Sequence, residues 1–249
     1  MLTEPSTNPN LPDGSTPLPR IVRDRSAGRP VVQVWQNEAI CSTTWRLDGA
    51  PVRFVKVGPP HREFEVGAHV DRYRWLASYL PVPHVLDHGT EDGLSYLVTE
   101  ALPGRSAISH DFTCGDPAIV EGLGRALRRF HDSLPVDECP FAYVPADIDP
   151  VDLVVCHGDA CNPNFLFDDS GAFTGYVDLG EVGIGDRWAD LAPAILSLGW
   201  NFGEDPEVHR ANRDRLLAGY GIALDERKLA HYTDVWNREP VQDEAHAGT

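Results

Sequence analysis

Long apolar runs are missing from this chain: none approaches the roughly 18 consecutive apolar residues of a membrane-crossing helix, and no basic segment followed by an apolar stretch opens it. It therefore reads as neither membrane-spanning nor secreted. Its five cysteines, Cys41, Cys114, Cys139, Cys156 and Cys161, form no C-x-x-C pair, and an odd, scattered set suits neither a disulfide framework nor a zinc site. Reduced thiols in the cytoplasm are the expectation. Basic residues are outnumbered, 21 against 38 acidic, and the formal charge of −17 opposes nucleic-acid phosphates and anionic membrane surfaces. Neither nucleic acid, membrane nor protein is expected as a partner; a cationic small molecule suits this field better. Internal repeats are absent as well, which excludes solenoid architectures.

What remains is ordinary globular material, with 42% apolar and 24% charged residues over 249 positions, enough for one large domain or two small lobes. Residues 1–30 carry Pro5, Pro9, Pro12, Pro17, Pro19 and Pro30 with few large apolar side chains, so residues 1–20 are expected to form a flexible tail. From Val31 the pattern becomes β-type: Val31–Trp35, Thr43–Leu47 and Val52–Val57, separated by Gln36-Asn37-Glu38 and Asp48-Gly49, predict an antiparallel meander. A helix is expected after Pro59-Pro60, ending near Leu80, and a strand over Leu94–Thr99. Beyond residues 100–104 the chain turns helical, first after the Asp116-Pro117 start signal and later over 186–199, 206–219 and 225–236. The reading is α+β and bilobal: a β-rich lobe over 21–99, a hinge at 100–104 and an α-rich lobe over 105–249.

The chemistry concentrates in His157-Gly158-Asp159-Ala160-Cys161-Asn162-Pro163-Asn164, which follows the apolar run Leu153-Val154-Val155. Phe165–Phe167 and Phe173–Val177 read as two strands joined by the turn Asp168-Asp169-Ser170-Gly171. Asn164 immediately precedes the first strand and Asp178 follows the second, so antiparallel pairing returns an amide oxygen and a carboxylate to one end. Hard oxygen donors of this kind hold Mg²⁺ in phosphoryl transfer, with nucleotide phosphates completing the shell. Asp159, entering the same hairpin, is placed to orient a substrate hydroxyl and accept its proton.

The stretch from Val155 to Leu191, with HGDACNPN, YVDLG and GDRWADLA, resembles the aminoglycoside phosphotransferases, particularly the 3′-phosphotransferase (kanamycin kinase) branch. The likeness runs more thinly over residues 31–236. It implies the bilobal protein-kinase-like fold and an ATP-dependent O-phosphotransferase acting on a cationic, aminoglycoside-like acceptor, with Asp159 catalytic and Asn164 and Asp178 binding Mg²⁺. Lys56 would contact the α- and β-phosphates, as its place at the end of a strand also suggests. The hinge would meet adenine at Thr99, Glu100 and Ala101, GTP being left open. His157 and Asp190 read as supports of the catalytic loop.

The pattern departs from the family in three places. His69 stands where a glutamate on the first long helix usually pairs with the lysine, and Glu65, one turn earlier, is the candidate substitute. The link Ala142–Asp152 is short, and in the C-terminal region Asp234 and Glu239 are the candidates for gripping substrate ammonium groups. Two alternatives follow: a kinase of another amino sugar or amino alcohol, or a catalytically degenerate nucleotide-binding protein.

Overall fold

In a computed structural model, residues 12, 14–109, 112, 115–142, 152–203 and 205–238 are described. Glu239 and most of the Ala142–Asp152 link lie outside that set. The first element is not a strand but a short helix, α1 (Arg20–Ser26). The prolines before it end at Pro19, and about two helical turns suffice to bury Ile21 and Val22 on the face of the following sheet, against Trp45, Leu47, Val55, Val57, Tyr96 and Val98. Arg20 and Arg25 tie it to Glu91, Asp92 and Asp87 at the far edge of that sheet.

The sheet is built from β1 (Val31–Asn37), β2 (Ser42–Leu47), β3 (Arg53–Gly58), β4 (Val85–Glu91) and β5 (Leu94–Glu100), in the spatial order β1-β2-β3-β5-β4 with every pair antiparallel. The expected meander is therefore present, with one strand more than the sequence pattern indicates. β4 reads Val-Leu-Asp-His-Gly-Thr-Glu and is largely exposed, because an edge strand pairs through its backbone on one side and has little apolar patterning to show. The Asp92-Gly93 turn, with both residues at positive φ, closes its hairpin with β5. Helix α2 (Val66–Leu76) runs from a cap at Glu65 and is shorter than expected, loosening into turns before Leu80.

The remainder is helical around two small β-units. β6 (Arg105–Ser106) joins the hairpin of β8 (Phe165–Phe167) and β9 (Phe173–Tyr176), while β7 (Leu153–Cys156) pairs antiparallel with β10 (Gly183–Asp186). Four helices pack here: α3 (Pro117–Ser133), α4 (Trp188–Phe202), α5 (Pro206–Tyr220) and α6 (Glu226–Asn237). Asp116, Asp205 and Asp225 cap three of them by accepting N–H bonds from the first turn. α3 and α5 approach to backbone contact at Gly124 and Gly219, where an added Cβ would come within 2.1 Å of the Leu216 carbonyl and 2.2 Å of the Glu121 carbonyl. The core they enclose contains Leu127, Phe130, Phe165, Tyr176, Leu179 and Trp188, all essentially without solvent exposure. No helix among the described residues is long and apolar enough to cross a membrane.

A buried lysine–aspartate pair lies inside this lobe. Lys228 on α6 donates to Asp186 Oδ2 at 2.6 Å, and Asp186 Oδ1 accepts the Trp188 N–H at 3.0 Å, so the end of β10 is tied to α4 and α6 at once. Removing one member of a buried pair strands the other charge. Lys228→Ala is expected to lower the unfolding free energy by about 3–5 kcal/mol, and replacing both partners with apolar residues of similar volume to restore most of it, as measured by urea denaturation.

Candidate active site

β7 delivers the chain into His157-Gly158-Asp159, and the loop is held from behind by Asp190 on the first turn of α4. The Asp190 carboxylate, wholly buried, accepts the N–H groups of His157 at 2.6 Å and Gly158 at 2.9 Å and contacts His131 Nε2 at 2.9 Å. His131 Nδ1 in turn meets the Tyr220 hydroxyl at 2.7 Å, which Arg187 also donates to at 3.1 Å. His157 faces inward between Phe130 and Phe165, and its Nδ1 accepts the Asp159 N–H at 3.3 Å. It is wholly buried in the core and braces the loop.

After a 3-10 turn over Asn162–Asn164, the β8–β9 hairpin forms with Phe165 opposite Tyr176, and the Val177 N–H donates to the Asn164 carbonyl at 3.0 Å. Asn164 and Asp178 thus emerge at the same end. Asp168 closes the turn by accepting from the N–H groups of Ser170 and Ala172. The Asn164 amide donates to Asp159 Oδ2 at 3.0 Å and to the Asp159 carbonyl at 2.9 Å, leaving its own Oδ1 without a hydrogen bond among the described residues. Asp159 Oδ1 is buried and likewise unpartnered.

Lys56, on β3 opposite Thr44 and Leu97, reaches across to Asp178 Oδ1 at 2.8 Å and lies 5.5 Å from the centre of the Phe64 ring. The two aspartates are driven apart electrostatically. Burial pushes the Asp159 carboxyl up and the charge of Asp178 adds to this. Burial acts on Asp178 in the same direction, but the charge and hydrogen bond of Lys56, with His69 and His157, outweigh it and hold that carboxyl below the ordinary range. Such a divided pair is a common signature of acid–base chemistry.

Several expectations need correction. Glu65 does not stand in as a partner for Lys56. It precedes α2 and its oxygens accept from the Gly67 and Ala68 N–H groups at 3.3 and 2.6 Å, the ordinary work of an N-cap, with the residue exposed. His69 is near Lys56 but supplies no counter-charge: burial first, then the lysine, pushes its pKa down to about 4, and its Nε2 lies 3.1 Å from the Glu63 carbonyl. The partner of Lys56 is Asp178 itself. At the hinge, the Glu100 N–H donates to His84 at 2.9 Å and the Ala101 N–H to Val52 at 3.0 Å, while Thr99 lies in the sheet opposite Phe54 and Val85. The N–H groups of Glu100 and Ala101 are thus engaged by backbone carbonyls. Asp234 is exposed on α6 and makes no side-chain hydrogen bond to any of the residues above.

The structure also brings in residues that spacing does not single out. Glu181 packs its backbone on Gly158, and its carboxyl is pushed up to about 7 by burial, opposed by Arg72 and reinforced by Glu63, Asp178 and Asp159. Arg72 and Tyr73 of α2 reach the turn after Asp178, Arg72 Nε donating to the Val182 carbonyl at 2.8 Å. Their only trace in the sequence is that they follow His69 by three and four positions on the helix.

The Lys56–Asp178 pair yields a direct test. A carboxyl held low in the folded state adds stability that is complete above its unfolded pKa and lost as pH falls through its folded one. In Lys56→Met, Asp178 is expected to titrate at higher pH by carboxyl-carbon NMR. The stability difference from the wild type should be present above about pH 4 and vanish in more acidic solution.

The model of the phosphotransferase enzyme family matches residues 37–152 and 141–232. The aminoglycoside 3′-phosphotransferase of Streptomyces fradiae is 32% identical over 227 residues, covering 73% of this chain and 84% of that protein. The enzyme of the same name from Streptomyces ribosidificus is 31% identical over 233 residues, covering 76% and 88%. Among solved structures, an aminoglycoside-3′-phosphotransferase of type VIII superposes with a TM-score of 0.69 at 29% identity, over 86% of this chain and 95% of that one. An aminoglycoside phosphotransferase from Streptomyces rimosus, in complex with ADP and streptomycin, gives a TM-score of 0.66 at 26% identity, over 84% and 91%. Catalytic-loop motif, bilobal kinase-like fold and these relatives agree: the chain belongs to the phosphotransferase enzyme family, among the aminoglycoside phosphotransferases.

Proposed function

We propose that this protein transfers the γ-phosphate of ATP to a hydroxyl of an aminoglycoside, with Asp159 at the reacting oxygen, Lys56 on the α- and β-phosphates, and Mg²⁺ between Asn164 and Asp178. The observation that carries the reading is that Lys56 bonds to Asp178 at 2.8 Å and Asn164 to Asp159 at 3.0 Å, and that the β8–β9 hairpin returns Asn164 and Asp178 to one end, although the four residues come from three separate parts of the chain. The donor set suits Mg²⁺: the Asn164 amide oxygen and the second Asp178 carboxylate oxygen are hard ligands that accept no hydrogen bond among the described residues. When bound, Mg²⁺ supplies charge neutralisation at the β- and γ-phosphate oxygens.

The remaining roles belong to the chain. Lys56 brings an ammonium from the β-rich lobe (21–99) over the hinge (100–104) to the α-rich lobe (105–249), where it meets the phosphates. Asp159 has one carboxylate oxygen fixed by Asn164 and one unpartnered, and the free oxygen is the acceptor for the substrate hydroxyl proton. Asp190 holds the loop so that this oxygen does not wander. The base is read by carbonyls of the hinge together with the Leu102 N–H, since the neighbouring amides are engaged. A polycationic acceptor is drawn by the excess of acidic residues. Such an activity confers antibiotic resistance, and the cytoplasm, which holds ATP, is where we place it.

The test is mass-spectrometric detection of a single added phosphate across a panel of aminoglycosides, amino sugars and amino alcohols, with ATP and GTP compared. Phosphorylated aminoglycoside is expected with wild type, and Asp159→Asn is expected to lose about 10²–10⁴-fold in kcat. Turnover of only the simpler amino compounds would remove the aminoglycoside reading. Absence of any nucleotide turnover would favour a binding protein without catalysis.

A further inference from the structure

We infer that helix α2 positions the turn after Asp178 directly, through His69, Arg72 and Tyr73, in place of an ion pair from that helix to Lys56. The inference rests on the reading that Asp178 holds Mg²⁺. Residues 69, 72 and 73 are spaced three and four apart and so share one face of α2. Each of them meets a different part of the segment 179–182. The Tyr73 hydroxyl accepts the Leu179 N–H at 3.4 Å, and the ring is buried beside it. Arg72 Nε donates to the Val182 carbonyl at 2.8 Å. The His69 imidazole lies so close over Gly180 that a Cβ there would stand 2.1 Å from its Cε1, so no other residue than glycine admits the helix at this distance. The His69 ring is itself fixed, with Nε2 at the Glu63 carbonyl and its edge against Phe64.

The grip matters because Asp178 has two claims on it. Among the described ion pairs Lys56 has no carboxylate partner but Asp178, so one side chain must serve both the lysine and the metal. Its backbone is at φ 55°, a left-handed conformation that a non-glycine residue keeps only where its surroundings impose it. The hydrogen bonds made to the Tyr73 hydroxyl and from Arg72 fix the backbone immediately after that residue and thereby set where the carboxylate points. In this arrangement a shift of α2 moves the metal ligand itself, with no need to break a lysine–glutamate pair first. Arg72 and Tyr73 touch neither nucleotide phosphate nor acceptor in this scheme and act as positioning residues.

The test uses the full chain with Tyr73→Phe, which keeps the ring and deletes only the hydroxyl, and Arg72→Met, which keeps the length and deletes the donor. Mg²⁺ binding to the ADP-bound protein is measured by calorimetry, and ADP binding is measured separately in EDTA. Supporting groups of metal ligands typically contribute about 10–100-fold to metal affinity, so the Mg²⁺ Kd is expected to rise at least about tenfold in both variants. ADP affinity in EDTA should stay unchanged, and the Mg²⁺ concentration for half-maximal turnover should rise in step. A fall in Tm with an unaltered Mg²⁺ Kd would make the contacts merely structural and overturn the inference. Asp178→Ala separates the two levels of the argument. If it too leaves Mg²⁺ binding intact, the metal reading fails; if it alone abolishes binding, the metal site stands and the role of α2 falls.

Discussion

A carboxylate removed from water must find donors, and Asp190 finds them in the backbone of the loop that follows β7. Isolated, a buried charge of this kind costs several kcal/mol or more. The N–H groups of His157 and Gly158 and the ring of His131 satisfy it here, and in doing so they fix the direction in which the chain leaves β7. Everything that follows depends on this exit: the place of Asp159, the start of the β8–β9 hairpin and the return of the chain at Asp178. His131, Tyr220 and Arg187 extend the same network into α3, α5 and the turn before α4, so the helices of the larger lobe are assembled around the loop they support.

On the other side of the site the control is exercised by the smaller lobe. Lys56 and α2 both reach the segment 178–182, one by charge and the other by hydrogen bonds and close packing. With histidine and not glutamate at position 69, the helix still contacts the segment after Asp178. A histidine whose pKa is pushed down lies close against Gly180, and the cation of Lys56 is balanced by Asp178. The electrostatic result is a site in which neighbouring carboxylates differ in proton affinity, Asp178 held low by the lysine and Asp159 and Glu181 raised by burial.

Much of this was legible in the chain, and the misses share a cause. The β8–β9 hairpin could be read because its turn residues, Asp168 to Gly171, and its aromatic strands lie within a short local stretch, where spacing alone decides what faces what. The strands β4 and β10 escaped because one is a polar edge and the other, Gly-Ile-Gly-Asp, pairs through backbone atoms that leave no side-chain pattern. Helix α1 escaped because the prolines around it mask two apolar residues that matter only once a sheet lies beneath them. At the hinge, sequence position suggested three residues for the base, but whether an amide is free depends on which neighbouring carbonyl has already taken it.

By itself, then, the sequence determined the reaction class and the family, because the candidate catalytic aspartate, the two metal-ligand candidates and the loop's anchor at Asp190 all fall between residues 157 and 190. Local chain geometry brings such residues together with little help from the rest of the fold. Only the tertiary structure decided the partner of Lys56, which stands 122 residues from Asp178, and turned Glu65 into a helix cap and His69 into a neutral wedge. Those outcomes depend on how one lobe packs on the other and on what burial does to charge, and neither is written in the spacing of residues along a chain.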